Sequence, residues 1–299
     1  MDILTVKGLT KRFGEKEVLK GFDLSVPEHS IFGFIGRNGA GKTTTMRAVL
    51  GLLKHDAGEI LVAGEKVTYG QTPTNQYIGY LPDVPEFYSF MTAREYLSLC
   101  GESLQLSGEE IDARSRELLE LVGLADETHR IRGYSRGMKQ RLGIAQALLG
   151  RPRLLICDEP TSALDPIGRK EILDLLLSVK EQTTVLFSTH ILSDVERICT
   201  DVALLHDGKI AMQGSVESLK SAYRSENFLL EMCTPDATAQ LLQAFSDVCR
   251  ADGEVLIFAG DEELMHRVLA FVLENKLPLA KIERTEPTLE ALFVEVTRK

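Results

Sequence analysis

The sequence of 299 residues predicts an α/β fold, and three observations indicate it. The first thirty residues alternate apolar and polar side chains, which is typical of half-exposed antiparallel strands. The continuous apolar run at residues 31–35 suits a strand that is buried on both faces. A glycine-rich loop follows that run directly, and residues 44–53 then repeat apolar side chains at helical spacing. Strand, loop and helix in this order are expected in the core of an α/β domain.

Two turn signals predict hairpins further along the chain. Gly64-Glu65 and Asp207-Gly208 each lie between short apolar runs, and glycine dipeptides of this kind are frequent in tight hairpin turns. Between them, the stretch from residue 92 to about 150 repeats apolar positions at helical spacing. Residues 154–157 and 184–187 are apolar strands, and a polar cluster follows each of them. We therefore expect a helical segment that is followed by two further core strands.

The pattern of apolar and polar residues changes near residue 221. Short apolar strands and helical stretches alternate again from there to the end, and a serine-rich lead-in with Glu226-Asn227 indicates a linker. We expect a large domain over residues 1–220 and a small α+β domain over residues 221–299.

Composition excludes several classes of protein. With 34 Lys and Arg against 44 Asp and Glu, the net charge is −10, which argues against a nucleic-acid partner because such binding needs a basic face. No apolar stretch approaches the ~18 residues of a membrane span, and the N-terminus has no secretory pattern. The five cysteines are an odd number without a CxxC pair. We expect neither a disulfide framework nor a zinc site, and a reducing cytoplasm is the predicted location.

The glycine-rich loop matches the pattern Gly-x4-Gly-Lys-Thr of a phosphate-binding P-loop. Backbone N–H groups of such a loop converge on phosphate oxygens, and the following helix adds the positive end of its dipole. Lys42 is expected to reach the β- and γ-phosphates of ATP, and the Thr43 hydroxyl to bind Mg²⁺. The predicted ATP-binding residues are Gly36, Arg37, Asn38, Gly39, Ala40, Gly41, Lys42, Thr43 and Thr44.

Two acids end the apolar strand at residues 154–157. Asp158 is the predicted partner of Mg²⁺, and Glu159 is placed to orient or deprotonate an attacking water. An acidic strand end is commonly a solvated turn. Beside a P-loop in the same chain, we interpret it as a metal-binding and catalytic pair.

Four more segments follow the P-loop in a fixed order. Together with the P-loop and the acid pair, they resemble the nucleotide-binding subunit of an ATP-binding cassette (ABC) transporter over about residues 3–218. The segment most specific to that family among P-loop proteins is its LSGGQ signature. The segments similar to the Q-loop, the signature, the D-loop and the switch histidine are 78–83, 134–141, 162–165 and 188–190.

The resemblance implies a P-loop NTPase core of the RecA-like kind, with an antiparallel β subdomain, a helical subdomain at about residues 84–150 and a small C-terminal α+β domain. It implies an ATPase that uses ATP and Mg²⁺ and powers a separate transmembrane permease. A second ABC ATPase subunit, expected to be an identical copy, completes each ATP site. The location implied is the cytoplasm, at the inner face of the cell membrane.

Roles of single residues carry over from the same resemblance. Phe13 is expected to stack on adenine, the alternative being a core phenylalanine. Ser135 and Gly137 are expected to contact the γ-phosphate of ATP held by the other subunit. His190 would hold the γ-phosphate and the attacking water in place, and Asp165 would communicate across the dimer interface.

The chain departs from the family pattern at two places. Asp83 stands where the Q-loop has glutamine, and it is carried over as a third candidate metal ligand. Arg136 and Met138 stand where the common signature has glycine and glutamine, although the Ser-x-Gly core remains. Similar variants, and a closing segment like residues 286–293, are typical of drug and antibiotic exporters. An importer ATPase with a regulatory C-terminal domain and a soluble ABC ATPase are the alternatives.

An apolar and aromatic stretch follows the Q-loop. Residues 84–91 include Phe87, Tyr88 and Phe90. We expect this stretch to line the groove that receives a short helix of the membrane partner; the alternative is ordinary core packing.

Overall fold

A computed structural model forms two compact units, Met1–Val216 with Glu295–Lys299, and Glu217–Val294. The predicted linker residue Glu226, and residues 286 and 287 of the predicted closing segment, lie outside the described residues. The structure describes residues 1–71, 73–222, 227–252, 255–284 and 288–298.

The first unit combines long strands at its N-terminus with alternating strands and helices. Its strands are β1 (Asp2–Phe13), β2 (Lys16–Pro27), β3 (Ile31–Ile35), β4 (Ala57–Val62), β5 (Glu65–Lys66), β6 (Ile78–Leu81), β7 (Leu154–Asp158), β8 (Thr184–Thr189), β9 (Asp201–His206) and β10 (Lys209–Ser215). Its helices are α1 (Lys42–Val49), α2 (Ala93–Ser103), α3 (Gly108–Leu121), α4 (Arg136–Leu148), α5 (Pro166–Val179) and α6 (Leu192–Ile198).

An antiparallel sheet in the order β2-β1-β4-β5 opens the chain, as the alternating pattern predicts. Strands β1 and β2 each have 12 residues, so they are longer than the short strands expected. The hairpin between β4 and β5 turns at Ala63 and Gly64, one residue before the predicted turn. Both residues have positive φ, 52° and 82°, as the favoured two-residue hairpin turn requires.

The second sheet has the order β10-β9-β3-β8-β7-β6, and only β10 runs antiparallel to its neighbour. Every residue of β3, β7 and β8 is buried, which explains their continuous apolar runs. Because parallel strands end at one edge, the segments that follow β3, β7 and β8 meet there. Helix α1 covers Lys42–Val49 instead of the predicted 44–53.

The predicted helical segment contains α2, α3 and α4. Thr92 with Glu95 and Ser107 with Glu110 form capping boxes that begin α2 and α3. Helix α4 packs tightly on β6: a Cβ atom on Gly79 would lie 2.1 Å from the carbonyl oxygen of Ala147. This approach holds the start of the Q-loop segment against α4.

The second unit contains a four-stranded antiparallel sheet in the order β12-β13-β11-β14. The sequence of strands and helices from β11 to β14 is βαββαβ, the ferredoxin-like arrangement. Phe228 and Phe258 stack in its core with ring centroids 5.0 Å apart. Its elements, with the helices at either end, are α7 (Val216–Ala222), β11 (Asn227–Met232), α8 (Pro235–Ala244), β12 (Cys249–Asp252), β13 (Val255–Ala259), α9 (Glu262–Glu274), β14 (Leu279–Arg284) and α10 (Leu289–Arg298).

Across the part of the chain that the structure describes, no helix combines the length and the apolarity that a membrane span needs.

Candidate active site

The loop between β3 and α1 depends on its glycines. Gly41 has φ +115°, and a Cβ atom there would lie 2.6 Å from Cδ2 of Leu19. A Cβ atom on Gly36 would lie 2.8 Å from the carbonyl oxygen of Leu205. Among the described residues, no side chain caps the N-terminus of α1. Its first N–H groups are therefore available to an anion.

Lys42, the first residue of α1, is buried, with 6% of its surface exposed. Its Nζ donates to the carbonyl oxygen of Gly36 at 2.6 Å and lies 3.0 Å from Oε1 of Glu159. The ammonium group thus joins the loop to the acid that follows β7. A cation held this way at the base of the loop can bind a phosphate group as a point charge.

Thr43 and Asp158 meet directly beside Lys42. The Thr43 hydroxyl donates to Oδ2 of Asp158 at 2.7 Å, and the Ser188 hydroxyl donates to Oδ1 at 2.6 Å. Asp158 is almost fully buried. Carboxylate and hydroxyl oxygens are ligands that Mg²⁺ prefers, so the residues present fit this ion. Ser188 was predicted only as part of the histidine segment, and its hold on Asp158 depends on β7 and β8 being neighbours.

Two groups beside Asp158 have raised pKa values. Burial raises the pKa of the Cys157 thiol, and the charge of Asp158 adds to the effect. Burial and then the charge of Asp158 raise the pKa of Tyr80 to about 12. Both groups are therefore neutral at pH 7 and add no negative charge next to Asp158.

Glu159 is held at both carboxylate oxygens. Oε2 lies 2.9 Å from Nδ1 of His190, while Oε1 faces Lys42. Its backbone N–H donates to the hydroxyl of Ser188 at 3.0 Å. Glu159 has φ +48°, a left-handed conformation that is strained for a residue with a side chain. A strained acid between a lysine and a histidine is typical of a functional site.

These residues open onto a cavity of about 310 Å³. Asp83 borders it, so the loop, the Q-loop position, Glu159 and the histidine segment come together. The lining residues are Asn38, Gly39, Gly41, Lys42, Thr43, Thr44, Asp83, Glu159, Ser162 and His190.

Asp83 also has contacts outside the cavity. Its Oδ1 lies 3.6 Å from Nη2 of Arg136, and its carbonyl oxygen accepts a hydrogen bond from Nε2 of the buried Gln140 at 2.8 Å. Asp83 and Arg136, two of the three residues that depart from the family pattern, thus face each other within one chain.

The described residues that line the cavity do not include eight of the predicted site residues: Gly36, Arg37, Ala40, Asp158, Phe13, Ser135, Gly137 and Asp165. Phe13 is half exposed, with Nζ of Lys11 lying 5.2 Å from its ring centroid, so it is not a core residue. Ser135 is the N-cap of α4, and Gly137 lies in the first turn of that helix. Asp165 is the N-cap of α5, and its Oδ1 accepts from the backbone N–H of Gly168 at 2.8 Å.

Comparison with known proteins identifies the family. The family model described as "ABC transporter" matches residues 19–162, and a model described as "ATP-binding protein DrrA1-3-like, C-terminal domain" matches residues 214–297. The bacitracin transport ATP-binding protein BcrA of Bacillus licheniformis is 36% identical over 98% of this chain and 97% of its own. The linearmycin resistance ATP-binding protein LnrL of Bacillus subtilis (strain 168) is 31% identical over 99% of this chain and 98% of its own.

Solved structures lead to the same family. The structure described as an ATP-binding subunit of an ABC transporter has a TM-score of 0.66 and 31% identity, covering 74% of this chain and 93% of its own. The ADP conformation of MJ1267, an ATP-binding cassette of an ABC transporter, also has a TM-score of 0.66, with 25% identity, covering 73% of this chain and 92% of its own. With the site described above, these matches show that the chain belongs to the ATP-hydrolysing ATP-binding subunits of ABC transporters.

Proposed function

We propose that this chain is the ATPase of an exporter for antibiotic-like molecules and works as a pair of copies on a separate membrane-spanning subunit. The observation that carries the catalytic part is the meeting of the glycine loop, Lys42, Asp158, Glu159 and His190 at one edge of the parallel sheet.

The contacts support a role for each residue. The loop N–H groups and Lys42 bind the β- and γ-phosphates. Thr43 and Asp158 are the residues that would hold Mg²⁺, which supplies positive charge next to the phosphates when bound. Asp83 borders the same cavity and is a further candidate ligand. Phe13, at the exposed end of β1, would stack on adenine.

Glu159 and a phosphate compete for the same cation. The carboxylate now faces Lys42 at 3.0 Å, and a bound γ-phosphate would draw the ammonium group toward itself. Glu159 would then keep His190 as its partner at Oε2, and Oε1 would be available to accept a proton from water. This exchange would switch the acid to its base role when ATP is present.

Exposed groups support a second copy as partner. Ser135 and Gly137 present the N-terminus of α4, which favours an anion, yet in this chain they are not among the described residues that line the cavity. We assign them to the γ-phosphate of ATP held by the partner copy. Ile167, close to Asp165 in sequence, is 71% exposed. An exposed apolar residue of this kind supports an interface here, because binding of the second copy would bury it.

The membrane subunit would dock at the aromatic segment 84–91. Tyr88 and Phe90 are more than half exposed, whereas Phe87 packs edge-on against Tyr96 with ring centroids 5.1 Å apart. Phe87 is therefore part of the internal packing, and Tyr88 and Phe90 are the better contact residues. Docking at this segment would place the chain at the cytoplasmic face of the membrane.

The direction of transport is proposed from the relatives. BcrA is described as acting in bacitracin transport and LnrL in linearmycin resistance. Removal of a toxic compound from the cell explains how a transporter subunit confers resistance. Antibiotics are accordingly the proposed substrate class.

Two experiments test the proposal. A strain that expresses this chain together with its membrane-spanning subunit should survive higher concentrations of such an antibiotic, and ATP-dependent uptake of a nutrient by the same pair would contradict an exporter. For docking, the double variant Tyr88→Ser/Phe90→Ser should lose co-purification with the membrane subunit while keeping ATP binding. Tyr69→Ser is the matched control, because Tyr69 is also more than half exposed but lies after β5; unchanged co-purification of the double variant would refute the docking surface.

A further inference from the structure

A buried carboxylate on α6, Asp194, has contacts that the proposed roles above do not use. Only 2% of its surface is exposed. Its Oδ2 accepts a hydrogen bond from the hydroxyl of Thr161 at 2.8 Å, and its Oδ1 accepts one from Nε of Arg169 at 2.5 Å. Nη2 of Arg169 also donates to the hydroxyl of Ser193 at 2.8 Å. Asp194 is therefore fully held although it is buried.

The chain positions of these partners relate them to the catalytic pair. Thr161 comes two residues after Glu159, and Asp194 comes four residues after His190. The Thr161–Asp194 bond and the Glu159–His190 contact therefore join the same two segments, which leave the neighbouring strands β7 and β8. The Thr161–Asp194 bond is buried, whereas the Glu159–His190 contact borders the cavity. The buried bond holds the two segments at the spacing that the Glu159–His190 contact requires.

The backbone around Thr161 is strained and needs such support. Glu159 and Ala163, two residues to either side, have φ +48° and +53°. Left-handed conformations of residues with side chains persist only where the surroundings hold them in place. The Thr161 side chain, 2% exposed and bonded to Asp194, provides a buried fixed point between the two strained residues.

The charge of Asp194 extends the link to a third segment. A buried carboxylate requires a cationic partner, and Arg169 supplies it from the start of α5. The backbone N–H of Arg169 donates to the carbonyl oxygen of Asp165 at 2.9 Å. Asp194 therefore joins the segment that follows β7, the histidine segment after β8 and the D-loop turn at Asp165.

We propose that Asp194 is a positioning residue that keeps Glu159 and His190 in their working geometry; this rests on the catalytic roles proposed above. The carboxylate acts through Thr161 and Arg169 and not on the nucleotide itself.

The test compares Asp194→Asn with the matched control Asp174→Asn. Asp174 on α5 pairs with Arg197 on α6 at 2.7 Å, so it joins the same two helices at the surface. We expect Asp194→Asn to lower kcat for ATP hydrolysis on the order of tenfold or more, because small displacements of catalytic groups slow reactions strongly. KM for ATP should change less than about threefold, since the glycine loop is untouched. The control should retain the wild-type kcat.

A second pair of variants examines the other end of the contact. Thr161→Ser keeps the hydroxyl and should retain the wild-type kcat, whereas Thr161→Val should reproduce the loss seen for Asp194→Asn. Thermal melting and binding of a fluorescent ATP analogue are measured for each variant. A wild-type kcat in Asp194→Asn, or a loss in which ATP binding and melting temperature fall together with kcat, would overturn the positioning role.

Glu159→Gln is measured in parallel to separate two failures. If Glu159→Gln keeps normal turnover, the proposed base role itself fails. If Glu159→Gln stops turnover while Asp194→Asn and Thr161→Val are normal, the base role stands and only the positioning role of Asp194 is refuted.

Discussion

Nδ1 of His190 lies 2.9 Å from Oε2 of Glu159, so the histidine that follows β8 touches the acid that follows β7. The imidazole is partly exposed toward the cavity, while the carboxylate is mostly buried. The contact therefore links the surface that meets the nucleotide to the acid that we assign as the base.

The first prediction concerns this contact. His190→Ala should lower kcat for ATP hydrolysis on the order of 10²-fold, because Glu159 loses the partner that fixes its orientation. Steady-state ATPase assays measure kcat and KM together. His129→Ala is the control, since His129 also pairs with a glutamate, Glu127, at 2.7 Å. Equal activity in both variants would contradict the role of His190.

Mg²⁺ dependence tests the pair Thr43 and Asp158. Chelation of divalent metal with EDTA should abolish hydrolysis, and added Mg²⁺ should restore it. Thr43→Val removes the hydroxyl and should raise the Mg²⁺ concentration needed for half-maximal rate, whereas Thr43→Ser should behave as the wild type. Titration of the ATPase rate with Mg²⁺ decides between these outcomes. A Mg²⁺ requirement that is unchanged in Thr43→Val would remove this residue from the metal site.

Asp83 is predicted to contribute to the same requirement. Asp83→Ala should raise the half-maximal Mg²⁺ concentration, because the cavity loses a carboxylate. Arg136→Leu removes the cation that lies 3.6 Å from that carboxylate, and it should leave the Mg²⁺ titration unchanged. If Asp83→Ala titrates like the wild type, Asp83 serves only as the partner of Arg136.

The glycine loop offers a matched comparison of two substitutions. Gly39 and Gly41 both have positive φ, but only a Cβ atom on Gly41 meets another side chain, Leu19, at 2.6 Å. Strain of this kind costs ~1–3 kcal/mol, and the clash adds to it at Gly41. Gly41→Ala should therefore weaken ATP binding about tenfold or more, and more than Gly39→Ala does. Equilibrium binding of a fluorescent ATP analogue measures both; equal affinities would contradict the packing argument.

Much of the architecture can be predicted from local patterns. The apolar run of β3, the glycine loop and α1 are adjacent in sequence, and Asp158-Glu159 directly ends an apolar strand, so spacing alone identifies them. The family resemblance then supplies the order of the remaining segments, and the solved structures confirm the fold.

Other features depend on which strands become neighbours. The Thr161–Asp194 bond joins residues 33 positions apart, and it exists because β7 pairs with β8. No local pattern specifies that pairing. Strand β14 was not predicted because five of its six residues are exposed, and its apolar and polar side chains do not alternate. The observed hairpin turn begins at Ala63, one residue before the predicted turn. Ala63 adopts a positive φ there, and residue type predicts that conformation for glycine and not for alanine.

The most direct measurement is the comparison of Glu159→Gln with Lys42→Ala in ATP binding and in single-turnover hydrolysis. Glu159→Gln should bind ATP as well as the wild type and favour a stable pair of copies. Its rate of ATP hydrolysis should fall on the order of 10²-fold or more. Lys42→Ala should instead lose affinity for ATP, because the phosphates lose their buried cation. Near-normal hydrolysis by Glu159→Gln would contradict the central claim that this acid, held between Lys42 and His190, activates the attacking water.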